Sequence, residues 1–383
     1  MMKLLFAPDS FKGSLSAAAC CKLLERAARR VFPGAETVLV PMADGGEGTV
    51  DALMMGRPGR RFRMQVTGPL FAPVEACWGL TADDETAVLE MAQASGLPLV
   101  PEQLRDPRNT TSLGTGEMIA NALRAGVKHI LIGIGGSATN DGGMGMLQAL
   151  GAVFTDAAGR ELRPVGGELI HVAHADFSGL MPELKRARIT VICDVTNPLL
   201  GENGAACVYG PQKGATPAIV EELEAGMVHY AQVVEAALSR DISRFSGAGA
   251  AGGLGAALGG VLGAELRGGA DAVMDAVHFD ALLAGVSLVI TGEGRMDGQS
   301  LRYGKAPVRV AERCAERGIP VAALVGSIGD GAQELYNLCE STVFPIVPGP
   351  MPLAEAMAGA PALYEAAAER LLRAVRIGMR IRE

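Results

Sequence analysis

The chain is poor in lysine. Its 383 residues include 34 basic side chains, and only seven of these are Lys, at positions 3, 12, 22, 128, 185, 213 and 305. The formal charge is −8 and is spread evenly, which speaks against nucleic acid and anionic membrane as partners. No run of about 18 apolar residues is present, so no membrane-spanning helix is expected. The opening "MMKLLFAPDS" is too short for a signal peptide and reads as a first strand. Seven cysteines are an odd number. Cys20 and Cys21 adjoin and there is no C-x-x-C, a pattern that suits free thiols in a reducing cytoplasm. His171 and His174 form an H-x-x-H with no third ligand nearby, so they make no zinc motif. No repeat of about 20–50 residues occurs. Also missing are G-x-x-x-x-G-K-[ST], H-R-D and D-F-G, which excludes P-loop enzymes and protein kinases.

Glycine is abundant, 51 residues against a usual share of about 7%. The glycines have no period and gather in loops after apolar runs. "KLLFA" (3–7) reads as a buried strand, "PDSFKGS" as a loop, and Leu15, Ala19, Leu23 and Ala27 as one stripe of a helix capped by Ser14 or Ser16. "ETVLVPM" (36–42), "ADGGEG" and "TVDALMM" repeat the strand, loop and helix. Such alternation predicts a parallel sheet with helices on both faces. From about 60 to 105 the texture is that of short antiparallel strands. Alternation resumes with "KHILIGIGG", and later with "RITVICDV" (188–195), "VSLVITGEG" (286–294), "PVAALVGS" (320–327) and "STVFPIV" (341–347). "GAGAAGGLGAALGGVLGAEL" (247–266) reads as a Gly/Ala-rich helix or helix pair. The length suits two domains. The pattern assigns 1–60, 110–150 and 285–383 to a doubly wound α/β domain. It assigns 61–109 and 151–284 to a second, inserted α/β domain with a mixed sheet.

Two chemistries compete for "GIGGSATNDGG" (133–143). Gly133, Gly135 and Ala138 match G-x-G-x-x-G/A after a strand, and Asp156 follows about 20 residues on, the fingerprint of a dinucleotide-binding dehydrogenase of hydroxy acids. Against it, "TNDGG" delays the helix and sets a carboxylate where a pyrophosphate would lie. Gly247, Gly249 and Gly252 match the same pattern after a poor strand and read as close packing of small residues. The rival chemistry uses five loops that follow strands: "PDSFKGS", "ADGGEG", "GIGGSATNDGG", "CDVTNP" and "TGEGRMDG". In open α/β sheets ligands bind at the carboxyl ends of strands. Backbone N–H groups with Lys or Arg hold phosphates there, and carboxylates hold Mg²⁺ or accept a hydroxyl proton. Asp9, Asp44, Glu47, Asp141, Asp194, Glu293 and Asp297 are the carboxylates. Lys12, Lys213, Arg295 and Lys305 are the cations. Three of the seven lysines adjoin a loop glycine, as phosphate-binding lysines often do.

The motifs "APDSFKGSLSA", "PMADGGEGTVDAL", "TSLGTGEMI", "GIGGSATNDGGMGMLQALGA", "CDVTNPLLGENGAA", "YGPQKGA", "GAGAAGGLGAAL" and "VITGEGRMDGQS" with "GKAP" together resemble the bacterial type I glycerate kinase family, from residue 3 to about 327. Arg309 stands where that family usually has Gly. The resemblance implies ATP- and Mg²⁺-dependent phosphorylation of D-glycerate in the cytoplasm. It also implies two α/β domains, one of them flavodoxin-like, with the active site in the cleft between them. The product is 2-phosphoglycerate or 3-phosphoglycerate, and a homodimer is compatible with the reading.

On this reading Asp194 is the first choice for general base or metal ligand and Asp297 the second, with Lys12 a catalytic cation. Asp9, Ser10, Gly135, Gly136, Ser137, Thr139, Asn140 and Lys305 are expected at ATP. Asp44, Gly45, Gly46, Glu47, Asn197, Lys213, Glu293 and Arg295 are expected at the substrate, with Arg295 or Lys213 on its carboxylate. Asp141 is either a metal-linked carboxylate or a helix cap. The alternatives to a kinase are the NAD-dependent dehydrogenase and a non-catalytic sugar-acid sensor on the same scaffold.

Overall fold

The computed structural model describes residues 2–55 and 59–381. The chain opens with strands β1 (Lys3–Pro8) and β2 (Glu36–Leu39), then β3 (Gly59–Thr67), β4 (Pro73–Thr81) and β5 (Thr86–Glu90). The middle holds β6 (His129–Gly133), β7 (Val153–Thr155), β8 (His174–Asp176), β9 (Arg188–Ile192) and β10 (Glu265–Arg267). It closes with β11 (Leu288–Met296), β12 (Val321–Ile328) and β13 (Ser341–Pro345). Two compact units result. One comprises Met1–Asp44, Asp51–Gly56 and Gly269–Glu383, the other Gly45–Val50 and Arg57–Gly268.

The first unit is built on a five-stranded sheet in the order β13-β12-β11-β1-β2, all parallel. Counted within the unit, this is the order 2-1-3-4-5 of flavodoxin-like sheets, and it reverses between β1 and β11. Leu4, Phe6, Ile290 and Leu324 lie in one apolar cluster with Leu24 and Tyr364. Leu5 and Val289, between them in sequence, are buried too, as a parallel sheet covered on both faces requires. Helix Ala17–Val31 starts at Ser16, whose hydroxyl accepts from the Ala19 N–H. It packs on the C-terminal helix Ala360–Ile381, where Tyr364, Ala367 and Leu371 are buried. Each such buried Leu or Ile side chain contributes about 1.5–3 kcal/mol.

The second unit has a six-stranded sheet in the order β10-β9-β6-β5-β4-β3. Strands β5, β6, β9 and β10 are parallel neighbours, while β3 and β4 form an antiparallel hairpin leading into β5. β7 and β8 make a separate antiparallel pair. Phe62 and Trp78 stack across the hairpin with centroids 4.4 Å apart, and the Trp78 indole N–H donates to Asn121 Oδ1 at 3.0 Å.

Three assignments differ from the sequence reading, one of them Gly45–Val50, which belongs to the second unit rather than to the doubly wound one. Residues 110–150 belong to the second unit rather than the flavodoxin-like one, because β6 hydrogen-bonds between β5 and β9. Residues 269–284 belong to the first unit. Local alternation shows that a strand is followed by a helix, but not which sheet takes the strand. The Gly/Ala-rich stretch also is not a plain helix. Ala251, Gly252 and Gly253 sit in left-handed backbone conformations inside Ala250–Gly255, and a π-turn (Ala256–Val261) follows.

Candidate functional site

In the first unit the sheet order reverses between β1 and β11, and charged residues gather at the carboxyl ends of these two strands. Asp9 follows β1. Its N–H donates to Gly292 O on β11 at 2.8 Å, and its carboxylate accepts the Ser10 N–H at 2.6 Å. Burial pushes the Asp9 pKa up to about 6, helped by the nearby charges of Asp44 and Glu293 and opposed by the Ser10 N–H and Lys12. Lys12 reaches Asp44 at 2.9 Å. Glu293 on β11 is only 6% exposed, and burial raises its pKa. One of its oxygens, Oε2, lies 3.4 Å from Lys305 Nζ, and the other, Oε1, is buried without a hydrogen-bond partner. Lys305 is also the N-cap residue of helix Ala306–Ala315, so its backbone stands at the positive end of a helix dipole. Of the sequence-predicted residues, Asp9, Ser10, Lys12, Asp44, Glu293 and Lys305 are thus brought together.

Further along β11, Asp297 caps helix Gly298–Arg302 in a reciprocal capping box with Ser300 and pairs with Arg295 at 3.0 Å. Burial works against its charge, but Arg295 and the N–H groups of Gln299 and Ser300 outweigh it and hold the carboxyl below its usual range. A carboxylate so engaged is a poor proton acceptor, so the geometry favours a capping role for Asp297. Arg309 donates to Asp271 through Nε at 3.0 Å and to Glu312 at 2.6 Å. Its aliphatic stem lies beside Gly304, next to Lys305. Asp271 thereby helps to hold Arg309 against the turn that carries Lys305.

In the second unit the glycine-rich loop follows β6. A Cβ on Gly133 would lie 2.3 Å from Gly45 O, and one on Gly135 would lie 2.9 Å from Gly46 Cα. These glycines therefore let the "ADGGEG" backbone pass, and the Gly135 N–H donates to Gly45 O at 3.0 Å. This overturns the dinucleotide reading, in which the same glycines make room for a pyrophosphate. Asp156, its expected ribose ligand, instead caps its own turn through the N–H groups of Arg160 and Ala158, and these with the Arg160 side chain hold its pKa low. Gly249 and Gly252 serve close packing, as expected: Cβ atoms there would meet Pro198 O at 2.1 Å and Thr139 O at 1.9 Å.

Asp141 is fully buried. Its Oδ2 accepts the Ser112 N–H at 2.8 Å, the Ser112 hydroxyl at 2.7 Å and the Gly145 N–H at 3.3 Å, while Oδ1 accepts the Gly143 N–H at 3.2 Å. Burial raises its pKa against the pull of these donors. Both oxygens are engaged inside the protein, so of its two expected roles the cap is the one with a geometry. Lys213, expected at the substrate carboxylate, is 2% exposed. Its ammonium donates to Ser137 Oγ at 2.8 Å and Thr139 O at 2.6 Å, so it is turned into the protein. Thr139 Oγ1 and both polar atoms of the Asn140 amide are buried without partners.

Asp194 lies just past β9 and is exposed, as is Glu47 on its loop. Asn197 is engaged locally: it donates to Asn203 O at 2.9 Å and accepts the Tyr209 hydroxyl at 2.6 Å. Gly46 O accepts the Thr49 hydroxyl at 2.7 Å. Sequence reasoning missed Glu90, a buried carboxylate at the end of β5 that receives the Val50 N–H at 2.5 Å. It also missed Ser112, the partner of Asp141. Glu90 stands beside no glycine-rich loop in sequence, and the glycines after Ser112 in "TSLGTGEMI" lie inside helix Leu113–Arg124. Among the described residues no three His, Cys, Asp or Glu side chains converge to hold a metal ion by themselves, and no helix is long and apolar enough to cross a membrane.

A profile of the "Glycerate kinase family" matches residues 4–376. A "Glycerate 2-kinase" of Escherichia coli (strain K12) is 48% identical over 379 residues, 99% of each chain. A "Glycerate kinase" of Bacillus subtilis (strain 168) is 47% identical over 375 residues, covering 98% of this chain and 96% of the relative. The solved structure of a putative glycerate kinase 2 from Salmonella typhimurium LT2 superposes with a TM-score of 0.86 at 44% identity, covering 99% of both chains.

Proposed function

This chain belongs to the glycerate kinase family, and from that premise we propose that it transfers the γ-phosphoryl group of ATP to a hydroxyl of D-glycerate, giving phosphoglycerate and ADP. The observation that carries the reading is the charged cluster at the switch point of the flavodoxin-like sheet, where such folds bind ligands. The 2-hydroxyl is the acceptor we favour, on the strength of the name borne by the Escherichia coli relative.

The step needs a proton acceptor, cations for the phosphates and a place for the carboxylate. The new bond joins the glycerate oxygen to phosphorus, the β–γ bridging P–O bond breaks, and the hydroxyl proton goes to a base. Asp9, with its pKa lifted to about 6, is ionised at neutral pH yet basic enough to take that proton. It replaces Asp194 as our first choice, and Asp194 becomes the second. Lys12, Lys305 and the N-terminus of helix Ala306–Ala315 offer positive charge to phosphate oxygens. Gly136, Ser137, Thr139 and Asn140 offer N–H, hydroxyl and amide donors to nucleotide phosphates, while the Gly135 N–H is taken by the Gly45 backbone; the unmatched Thr139 hydroxyl and Asn140 amide support that role. Arg295, exposed, is our choice for the substrate carboxylate.

Mg²⁺ fits the cluster. The unpartnered Glu293 Oε1 and the Asp44 carboxylate are hard oxygen donors, and a kinase magnesium takes one or two carboxylates with phosphates as its other ligands. Its chemistry there would be to neutralise charge on the phosphate oxygens. The test is ADP release by purified protein supplied with ATP, Mg²⁺ and D-glycerate. Glycerate-dependent ADP is expected. Nucleotide and glycerate binding without ADP from any isomer would instead mark a sensor.

A further inference from the structure

We infer that Lys213 is a positioning residue: its ammonium, inside the second unit, holds the glycine-rich loop in the shape that receives nucleotide phosphates. The inference rests on the reading of Gly136–Asn140 as a phosphate loop.

Lys213 sits at the end of the short turn Pro211–Lys213. It is among the largest fully buried side chains of the protein. Among the described residues it forms no ion pair, although the field of Asp141 reaches it. A buried ammonium without an ion pair lowers stability, and an apolar side chain of the same length would be the cheaper occupant. Stability alone therefore gives no reason for a lysine here.

What the ammonium contacts does give one. It donates to the Ser137 hydroxyl and to the Thr139 carbonyl, two residues apart on the same loop. A single donor group thus fixes the path of the backbone through Ala138. On the far side of that segment Asp141 is clamped by Ser112, and Gly252 packs against Thr139 O. Between these two anchors lie Thr139 Oγ1 and the Asn140 amide, the buried donors that still lack partners. Lys213 holds one end of the segment that carries them and Asp141 holds the other. Burial also lowers the pKa of Lys213 to about 7, and even its neutral amine keeps two N–H donors, enough for both bonds.

The test compares full-length wild type with Lys213→Met, Ser137→Ala, the double variant and Gly136→Ala. It measures KM for ATP and for glycerate, the thermal midpoint, and hydrogen exchange across 133–143. Lys213→Met is expected to raise KM for ATP about tenfold or more and KM for glycerate less than about threefold. Exchange in the loop should quicken, and the midpoint should stay within a few degrees of wild type. The double variant should bind ATP no worse than Lys213→Met alone, because the two groups act through one contact. If Lys213→Met does not fold, Ser137→Ala carries the test: a smaller rise in KM for ATP is expected together with faster exchange across 133–143, and no rise, or a rise without faster exchange, overturns the inference. If Gly136→Ala raises KM for ATP while Lys213→Met and Ser137→Ala leave it unchanged, the positioning role is wrong and the phosphate-loop reading stands. If none of the variants moves KM for ATP, both fall.

Discussion

Asp9 shows how one residue becomes chemically distinct through its neighbours. A carboxyl at the end of a strand would normally titrate near 4; here burial and the charges of Asp44 and Glu293 lift it to about 6. Two consequences follow with defined signs. First, kcat/KM should fall as pH drops below about 6, with the base protonated. Asp9→Asn should lose about 10²-fold or more in kcat, and its residual activity should lack that acid limb. A variant with near-normal turnover would return the role to Asp194. Second, the folded state holds the Asp9 proton more tightly than the unfolded chain, so this group's contribution to stability is lost as pH rises from about 4 to 6. Asp9→Asn, which carries no charge, should therefore be more stable than wild type at pH 7, by about 1–2 kcal/mol. Urea unfolding at pH 4 and pH 7 checks this, and an equal effect at both would contradict it. The sequence made Asp9 and Lys12 visible through "PDSFKGS". It did not show the raised pKa, which needs Glu293 from the other end of the chain.

The elements that present these residues were largely legible, and their misreadings share a cause. Strands β1, β6, β9, β11, β12 and β13 follow from short apolar runs bounded by glycine loops. The stretch 247–266, expected as a helix or helix pair, is a pair broken by a left-handed kink, since helix propensity and close backbone approach both select Gly and Ala. The structure uses left-handed Ala251, Gly252 and Gly253 to bring the backbone against the loop after β6. Gly252→Ala should therefore destabilise by about 2–4 kcal/mol, from the left-handed backbone and from a Cβ driven into the Thr139 carbonyl. Unchanged denaturant midpoints would mean that the segment can move aside at no cost. The same contact explains "GIGGSATNDGG": Gly133 and Gly135 admit the Gly45–Gly46 backbone, so a fingerprint-like spacing arises from packing within one unit.

At the scale of the whole molecule, the two-domain, α/β character was evident, but the membership of 110–150 was not. A parallel strand finds its neighbour through tertiary pairing, and β6 carries no local mark that it joins β5 and β9 rather than β1 and β11. The function was legible through the order of many long motifs, whereas composition and periodicity alone left a kinase and a dehydrogenase in competition. The overturned fingerprint gives a further expectation: NADH should not bind in the micromolar range, as a titration of its fluorescence against the protein would show, and tight binding would revive the dehydrogenase. The central claim is tested most directly by supplying purified protein with ATP, Mg²⁺ and D-glycerate and coupling the product to enolase, with phosphoglycerate mutase left out. The account predicts phosphoenolpyruvate formation without mutase. A signal that appears only on adding mutase would contradict transfer to the 2-hydroxyl, and no phosphorylated product from any glycerate isomer would contradict the kinase itself.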